Sequence, residues 1–174
     1  IRTNTVDNLL IFSDQGKVYR LLVDNIPVGT NVSRGTLVNS LIKMPENEHP
    51  AAIYSLYRKT DMQYLLIVTA DGQIKKTALT EFENSRGSGS MCIKLRDGDA
   101  IAAVTLIKDE QLLLITKEGM MIRIKSDFSA TGKTAMGVRG IKLKEGDKVA
   151  TAIPIRDEKD DLAKINEKIL KKQE

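Results

Sequence analysis

LLIFSDQGKVYR at residues 9–20, LLIVTADGQIKK at 65–76 and LLLITKEGMMIR at 112–123 are three copies of one pattern. Each copy runs through four apolar residues, a Ser or Thr, two variable residues and a Gly, then an alternating stretch that ends on a base. The glycines are Gly16, Gly72 and Gly119, and the hydroxyls three residues earlier are Ser13, Thr69 and Thr116. Gly reaches positive φ without the steric cost an L side chain carries, and a Ser or Thr hydroxyl can bond the turn backbone. The pattern therefore predicts three β-hairpins, with these six residues acting in the turns.

A second element follows the first. GSMCIKLRDGDAIAAV from residue 89 matches GVRGIKLKEGDKVATA from 137, with Ile-Lys-Leu and Gly-Asp at the same offsets, and SRGTLVNSLIKM from 33 is a looser third copy. The predicted unit is strand, hairpin turn, strand, basic Gly-containing loop, strand, acidic Gly turn, strand. Four short strands in about 40–50 residues is the size of a propeller blade. The first unit is longer, which places an insertion around residues 45–57.

Composition agrees with an all-β protein: 174 residues that are 41% hydrophobic suffice for one core or several small blade cores. No apolar run has the length of a membrane span, and the N-terminus lacks a charged-then-apolar signal segment, so no membrane partner is expected. The single cysteine excludes an internal disulfide framework and fits a reducing cytoplasm. Trp is absent and aromatics are 4% of the chain, too few for the stacking platforms of a single-strand reader.

The net charge is +4, and its placement matters more than its size. From Arg156 onward six bases balance six acids, so the excess lies on residues 1–155, with 21 bases against 17 acids. Four residues after each turn glycine stand Arg20, Lys76 and Arg123, while Val18, Ile74 and Met121 stand at the alternate position. Period-two geometry is read as turning these bases to one face and the apolar residues to the other. One base per blade at one depth would draw a positive stripe around a rim; the competing reading is a charged guard on an edge strand. The loops add Arg34 beside Gly35, Arg86 in NSRGSGS, and Arg139 in MGVRG, with Lys133 nearby. Gly beside a base lets main-chain N–H groups and a cation meet one phosphate.

The hairpin repeat, GVRGIKLKEGDKVA, TADGQIKKTALTEF and the downstream IKLRDGDAI together resemble the C-terminal domain of bacterial DNA gyrase A, which also occurs in the related subunit of topoisomerase IV. The resemblance runs from about residue 6 to 155. It implies a β-pinwheel, a propeller-like ring whose blades exchange strands, and a function in binding and bending duplex DNA, largely independent of sequence, around a basic outer rim. It further implies that Arg20, Lys76 and Arg123, with Lys17, Lys75, Arg34, Arg86 and Arg139, contact phosphates. The parent would be an ATP-dependent type IIA topoisomerase of the bacterial cytoplasm. Its partners would be the ATPase subunit, together with the remainder of the topoisomerase A subunit. The basic double-glycine box of gyrase has no match; the nearest stretch, residues 84–90, keeps only Arg-Gly-x-Gly. Either the blade with the box lies outside this chain or the parent is closer to topoisomerase IV.

Three repeats, near 9–60, 64–107 and 111–155, form a pinwheel domain over 1–155 that is partial relative to the family's fuller wheels. An open arc is expected, or one in which the N-terminal strand pairs with the last blade. The segment 156–174 has Leu162, Ile165 and Ile169 at helical spacing, predicting a charged amphipathic tail that lies on the last blade or docks elsewhere, competing for the rim through its acids.

Catalysis finds little support. His49 is the only histidine, Cys92 sits in an apolar alternation, and no zinc spacing, Walker loop or nucleophile elbow is present. Asp97 with Asp99, and Glu145 with Asp147, flank glycines at matching places and read as turn chemistry. No cofactor or metal is expected. Beside DNA wrapping, a propeller-type scaffold for protein partners remains open, and a ligand site in a channel is the weaker third reading.

Overall fold

Each quoted stretch forms an antiparallel hairpin in the computed structural model, which describes residues 3–56, 63–108 and 110–155. The hairpins are β1 (Asn8–Ser13) with β2 (Lys17–Leu22), β4 (Tyr64–Thr69) with β5 (Gln73–Ala78), and β8 (Gln111–Thr116) with β9 (Met121–Ile124). The turns use the predicted chemistry. Gly16, Gly72 and Gly119 have φ of 81°, 81° and 82°. The hydroxyls of Ser13, Thr69 and Thr116 accept the N–H groups of Lys17, Gln73 and Met120 at 3.3, 3.1 and 3.1 Å. Asp99 and Asp147 also act on turns: their carboxylates accept the N–H groups of Asp71 and Glu118 at 2.9 and 3.2 Å.

Strands β3 (Pro50–Leu56), β7 (Ile101–Ile107) and β11 (Val149–Ile155) pair with β1, β4 and β8 on their inner edges. The fourth strand of a blade is not supplied by its own repeat. β6 (Ser90–Met91), from the second repeat, completes the sheet β3-β1-β2-β6, and β10 (Val138–Arg139), from the third, completes β10-β5-β4-β7. This strand exchange makes the fold a β-pinwheel. The third sheet, β11-β8-β9, has three strands among the described residues.

The exchange explains why the turns require glycine beyond their φ. A Cβ on Gly16 would lie 2.7 Å from the Ile93 carbonyl oxygen, and one on Gly72 would lie 2.8 Å from Ile141 Cγ2. The donated Ile-Lys-Leu segment thus presses on the preceding repeat's hairpin. Main-chain bonds extend the contact along the arc: the Lys43 N–H donates to the Gly87 carbonyl and the Lys94 N–H to the Ala135 carbonyl, each at 3.2 Å.

Apolar clusters fill the spaces between sheets. Leu10, Phe12 and Val18 of the first sheet pack on Leu65 and Ile67 of the second, together with Phe82 and Ile93. Phe12 and Phe82 meet edge to face at 5.9 Å. Leu66, Val68 and Ile74 pack on Leu112 and Leu114 of the third sheet, together with Ile141. Each such side chain contributes about 1.5–3 kcal/mol by burial. Among the described residues no buried cluster joins the first sheet to the third, as in an open arc.

Three expectations change. The approach to β1 is a turn, in which the Asp7 carboxylate accepts the Asn4 N–H at 2.8 Å, and no described N-terminal strand joins the third sheet. Arg20 and Lys76 lie two residues beyond Val18 and Ile74, so the pleat puts them on the same side as the apolar residues, toward the next sheet. Lys75 is a core residue, 1% exposed, with Nζ donating to the carbonyls of Cys92 at 2.7 Å and Lys133 at 2.6 Å. It ties the segment donated to the first sheet to the loop that leads into the second. The predicted tail helix lies outside the described residues.

Two outcomes follow in equilibrium unfolding. Gly72→Ala should cost about 2–4 kcal/mol, adding overpacking against Ile141 to the positive-φ strain, whereas Gly119→Ala, with nothing within 4 Å of its Cβ position, should cost only the strain, about 1 kcal/mol. Burial pushes the Lys75 ammonium down to about 8, against the opposing pull of Cys92 and Glu81. The unfolded chain therefore holds this proton more tightly between pH 8 and the ordinary lysine range. Stability relative to Lys75→Met should rise with pH across that window, by on the order of 1–3 kcal/mol, and the advantage should be lost as pH falls through 8. Urea denaturation of both proteins at pH 7, 8, 9 and 10 measures it.

Candidate nucleic-acid interface

The three bases that follow the turn glycines occupy one structural position. Arg20 Nε donates to Asn8 Oδ1 at 2.9 Å, and Arg123 Nε donates to Gln111 Oε1 at 2.6 Å. Lys76 Nζ stands 5.1 Å from the ring centre of Tyr64, the counterpart of Asn8 and Gln111. Two of the cations also reach the next repeat: Arg20 Nη1 donates to the Glu83 carbonyl at 2.9 Å, and Lys76 Nζ to the Ser126 carbonyl at 2.7 Å. Lys76 is further flanked by the Phe128 ring at 5.2 Å. Arg20 and Lys76 are half-buried and staple adjacent blades; Arg123, on the last blade, is exposed. The stripe expected from these three bases is thus largely engaged within the protein.

Lys17 pairs with Glu48, a carboxylate only 2% exposed, to which Tyr19 Oη also donates at 2.7 Å. Burial favours the neutral Glu48, but hydrogen bonds from Lys17, Tyr19 and Ser13 outweigh it and hold the carboxyl below its ordinary value. The same contact, after burial itself, raises the Tyr19 hydroxyl. Lys17 keeps a 44% exposed side chain at the edge of this cluster. Lys75, enclosed by two carbonyls, has no path to a phosphate.

Arg34 and Arg86 are exposed on loops, and Arg139 is exposed on β10. Beside them lies a set that reasoning from the turn glycines missed. In each Ile-Lys-Leu or Ile-Lys-Met segment the Ile is buried and the Lys is exposed, which puts Lys43, Lys94 and Lys142 on the outside, one per repeat. Arg96 and Lys144, two residues further on, are exposed as well. The signal was present in the identical offset of the motif; period two then turns Lys away from the packed Ile. The bonds from Lys43 N–H to Gly87 and from Lys94 N–H to Ala135 join this series to the loop carrying Arg86 and to the loop that leads into β10 and Arg139.

Arg96, Arg139, Lys142 and Lys144 line one shallow depression beside the Gly72 turn. Lys148 lies there too, but Asp71 pairs with it and raises its pKa. The surface offers cations and main-chain donors, with few aromatic groups on which a base could stack. Cys92 is fully buried, and burial pushes its thiol up to about 12, which removes thiolate chemistry at neutral pH. Among the described residues no group of three or more His, Cys, Asp or Glu could hold a metal ion, and no helix is long and apolar enough to cross a membrane.

Comparison with known proteins finds the same architecture. The chain is 37% identical over 139 residues to the DNA gyrase A subunit of Salmonella typhimurium and 38% identical over 139 residues to that of Escherichia coli K12; each match covers 79% of this chain and 16% of the relative. Among solved structures, the C-terminal domain of DNA topoisomerase IV superposes with a TM-score of 0.78 at 28% identity, covering 89% of this chain and 49% of that one. The DNA gyrase A C-terminal domain superposes with a TM-score of 0.72 at 30% identity, covering 88% of this chain and 50% of that one. The model of the DNA gyrase C-terminal domain, beta-propeller, matches residues 7–49, 63–108 and 110–156, one match per repeat. With its three blades, two of them completed by a strand from the following repeat, and its recurring outward lysines, this chain belongs to the DNA gyrase C-terminal domain, beta-propeller family.

Proposed function

We propose that this chain binds duplex DNA along its outer basic edge and bends it, as the wrapping element of a type IIA topoisomerase. The observation that carries the reading is the recurrence of Lys43, Lys94 and Lys142 at one exposed position of successive repeats, with Arg96 and Lys144 beside two of them. A curved body with cations at regular intervals favours DNA that follows the curve, because each neutralised phosphate releases condensed counterions. That gain offsets a bending cost of about 1–6 kcal/mol for a 20–30 bp segment. Lysine ammonium groups and main-chain donors read phosphate positions, so binding would be nearly independent of sequence.

Arg139 lies beside Lys142 and Lys144, and the exposed Arg34, Arg86 and Arg123 would add further positive charge for phosphate. Arg20 and Lys76 serve it indirectly, by fixing the angle between blades, and Lys75 by holding the loops in place. The chain spans 16% of the length of the gyrase A relatives, so ATP hydrolysis would belong to the ATPase subunit, with strand cleavage left to the rest of the parent protein. Wrapping would then deliver a distant part of the same DNA to the parent enzyme with a fixed handedness, in the bacterial cytoplasm.

Binding to a 40 bp duplex across a salt series tests the proposal. The affinity should fall steeply with salt, and reversing Lys94, Arg96, Lys142 and Lys144 to Glu should flatten the slope of log K against log salt by about 0.9 per lost phosphate contact while leaving the thermal midpoint nearly unchanged. Arg20→Glu and Lys76→Glu should instead lower the thermal midpoint, since each removes an inter-blade bond and places a carboxylate against a carbonyl. Wild-type binding that is undetectable at low salt would overturn the reading and favour a scaffold for protein partners.

A further inference from the structure

The two seams between blades share one plan and carry different charge. Each has a shallow depression where a donated segment lies against a hairpin turn, beside Gly16 at the first seam and Gly72 at the second. Their volumes are nearly equal, about 430 and 410 Å³, so chemistry rather than room distinguishes them.

Strand pairing fixes the correspondence between the two. Met91 stands opposite Lys17 of β2, and Arg139 stands opposite Gln73 of β5, so an apolar side chain at the first seam gives way to an arginine at the second. On the donated segments Lys94 corresponds to Lys142. Pro45, Arg96 and Lys144 hold one place in successive repeats, five residues before the first residues of β3, β7 and β11. The repeat that owns the hairpin thus has a proline at this place for the first seam and Arg96 for the second.

The first depression has two cations on its walls, Lys17 and Lys94, and Lys17 is held by the buried Glu48. The second is walled by Arg96, Arg139, Lys142 and Lys144, all exposed, whose side chains make no hydrogen bond or ion pair among the described residues. The acids beside them are engaged. Asp71 pairs with Lys148, and Asp147 Oδ1 accepts the N–H groups of Glu118 and Lys148 at 3.2 and 2.8 Å. Gln73 adds a neutral donor: it lines the depression, is 5% exposed, and its side-chain amide has no partner among the described residues. A buried amide without a partner is costly, and a ligand oxygen that accepts its N–H removes the cost. Cations gathered in one concavity repel one another until an anion joins them, and the two arginines present planar donors that match phosphate oxygens in pairs.

We propose that the depression at the second seam is the phosphate anchor of the arc, gripping the duplex backbone through Arg96, Arg139, Lys142, Lys144 and Gln73, while its counterpart at the first seam only guides the duplex. The ligand named here rests on the duplex-binding reading above; the inequality of the two seams does not. The recurring lysines then set the path of the DNA, and the second seam holds the larger share of the affinity. Wrapping starts locally, with the duplex caught at this seam and laid along the arc from there.

The test compares one exchange at one repeat position. Lys94→Glu and Lys142→Glu both alter exposed side chains without bonds among the described residues, so unchanged thermal midpoints serve as the control for folding. In binding of the full chain to a duplex of about 40 bp, Lys142→Glu should weaken the Kd about tenfold and Lys94→Glu about threefold or less. Equal losses would overturn the anchor and leave duplex binding in place. A second arm omits DNA: inorganic tripolyphosphate is titrated against acetylation of the wild-type lysines by acetic anhydride, read at each residue by mass spectrometry. Lys142 and Lys144 should be protected at lower tripolyphosphate concentration than Lys94. Unequal losses without that protection would support the anchor and assign it to the duplex backbone alone. If wild type binds no duplex at low salt, selective protection keeps the site and assigns it to a free polyphosphate, whereas protection without preference would overturn the site along with the wrapping reading.

Discussion

Everything in this arc depends on a close approach between chain segments that belong to different repeats. The carbonyl of Ile93 lies against Gly16, and Ile141 lies against Gly72, at distances where no side chain fits. From that contact follow the pairing of β6 and β10, the burial of the two isoleucines between sheets, and the outward turn of the lysines next to them. Glycine at the hairpin thus has two duties, a positive φ and an empty flank, and the second is what lets one repeat close another. Among the described residues the third hairpin shows the first duty alone.

The hairpins were legible in the sequence because their signal is local: four apolar residues, a hydroxyl and a glycine act within a few residues of one another. The acidic Gly-Asp turns were legible for the same reason, and Asp99 and Asp147 do bond turn backbone. The source of the fourth strand was not legible from pattern. Ser90–Met91 and Val138–Arg139 are two residues long, too short to carry a period, and their partners lie in a different repeat. Only the resemblance to a strand-exchanging family anticipated it.

Charge was the least legible property, since a sequence shows where a cation is and not what surrounds it. Lys75 and Lys76 are neighbours of one type, yet the first is enclosed under two carbonyls and the second bridges a carbonyl and two rings. Counting residues from the turn glycine assigned Arg20, Val18 and their equivalents to opposite faces, when an even separation places them on the same one. The lysines of the Ile-Lys-Leu segments carried the better signal, because a buried Ile on one side and a partly buried Leu packed on the core on the other fix the direction of the residue between. A base flanked by two apolar residues packed on the core is a stronger indicator of an outward cation than a base at the end of a strand.

The bonds from Arg20 and Lys76 to carbonyls of the following repeat have a mechanical consequence. A load that spreads the arc must separate a sheet from the next one, and three kinds of linkage lie in parallel across that seam: apolar packing, the exchanged strand and the cationic staple. Parallel linkages share tension, so each seam is stiffer than any single contact in it, and deformation concentrates where a linkage is missing. Bent DNA pushes outward like a spring on whatever holds it. A body whose seams are triply bonded resists that recoil without changing its own curvature, so DNA held as proposed would take its curvature from the protein's geometry.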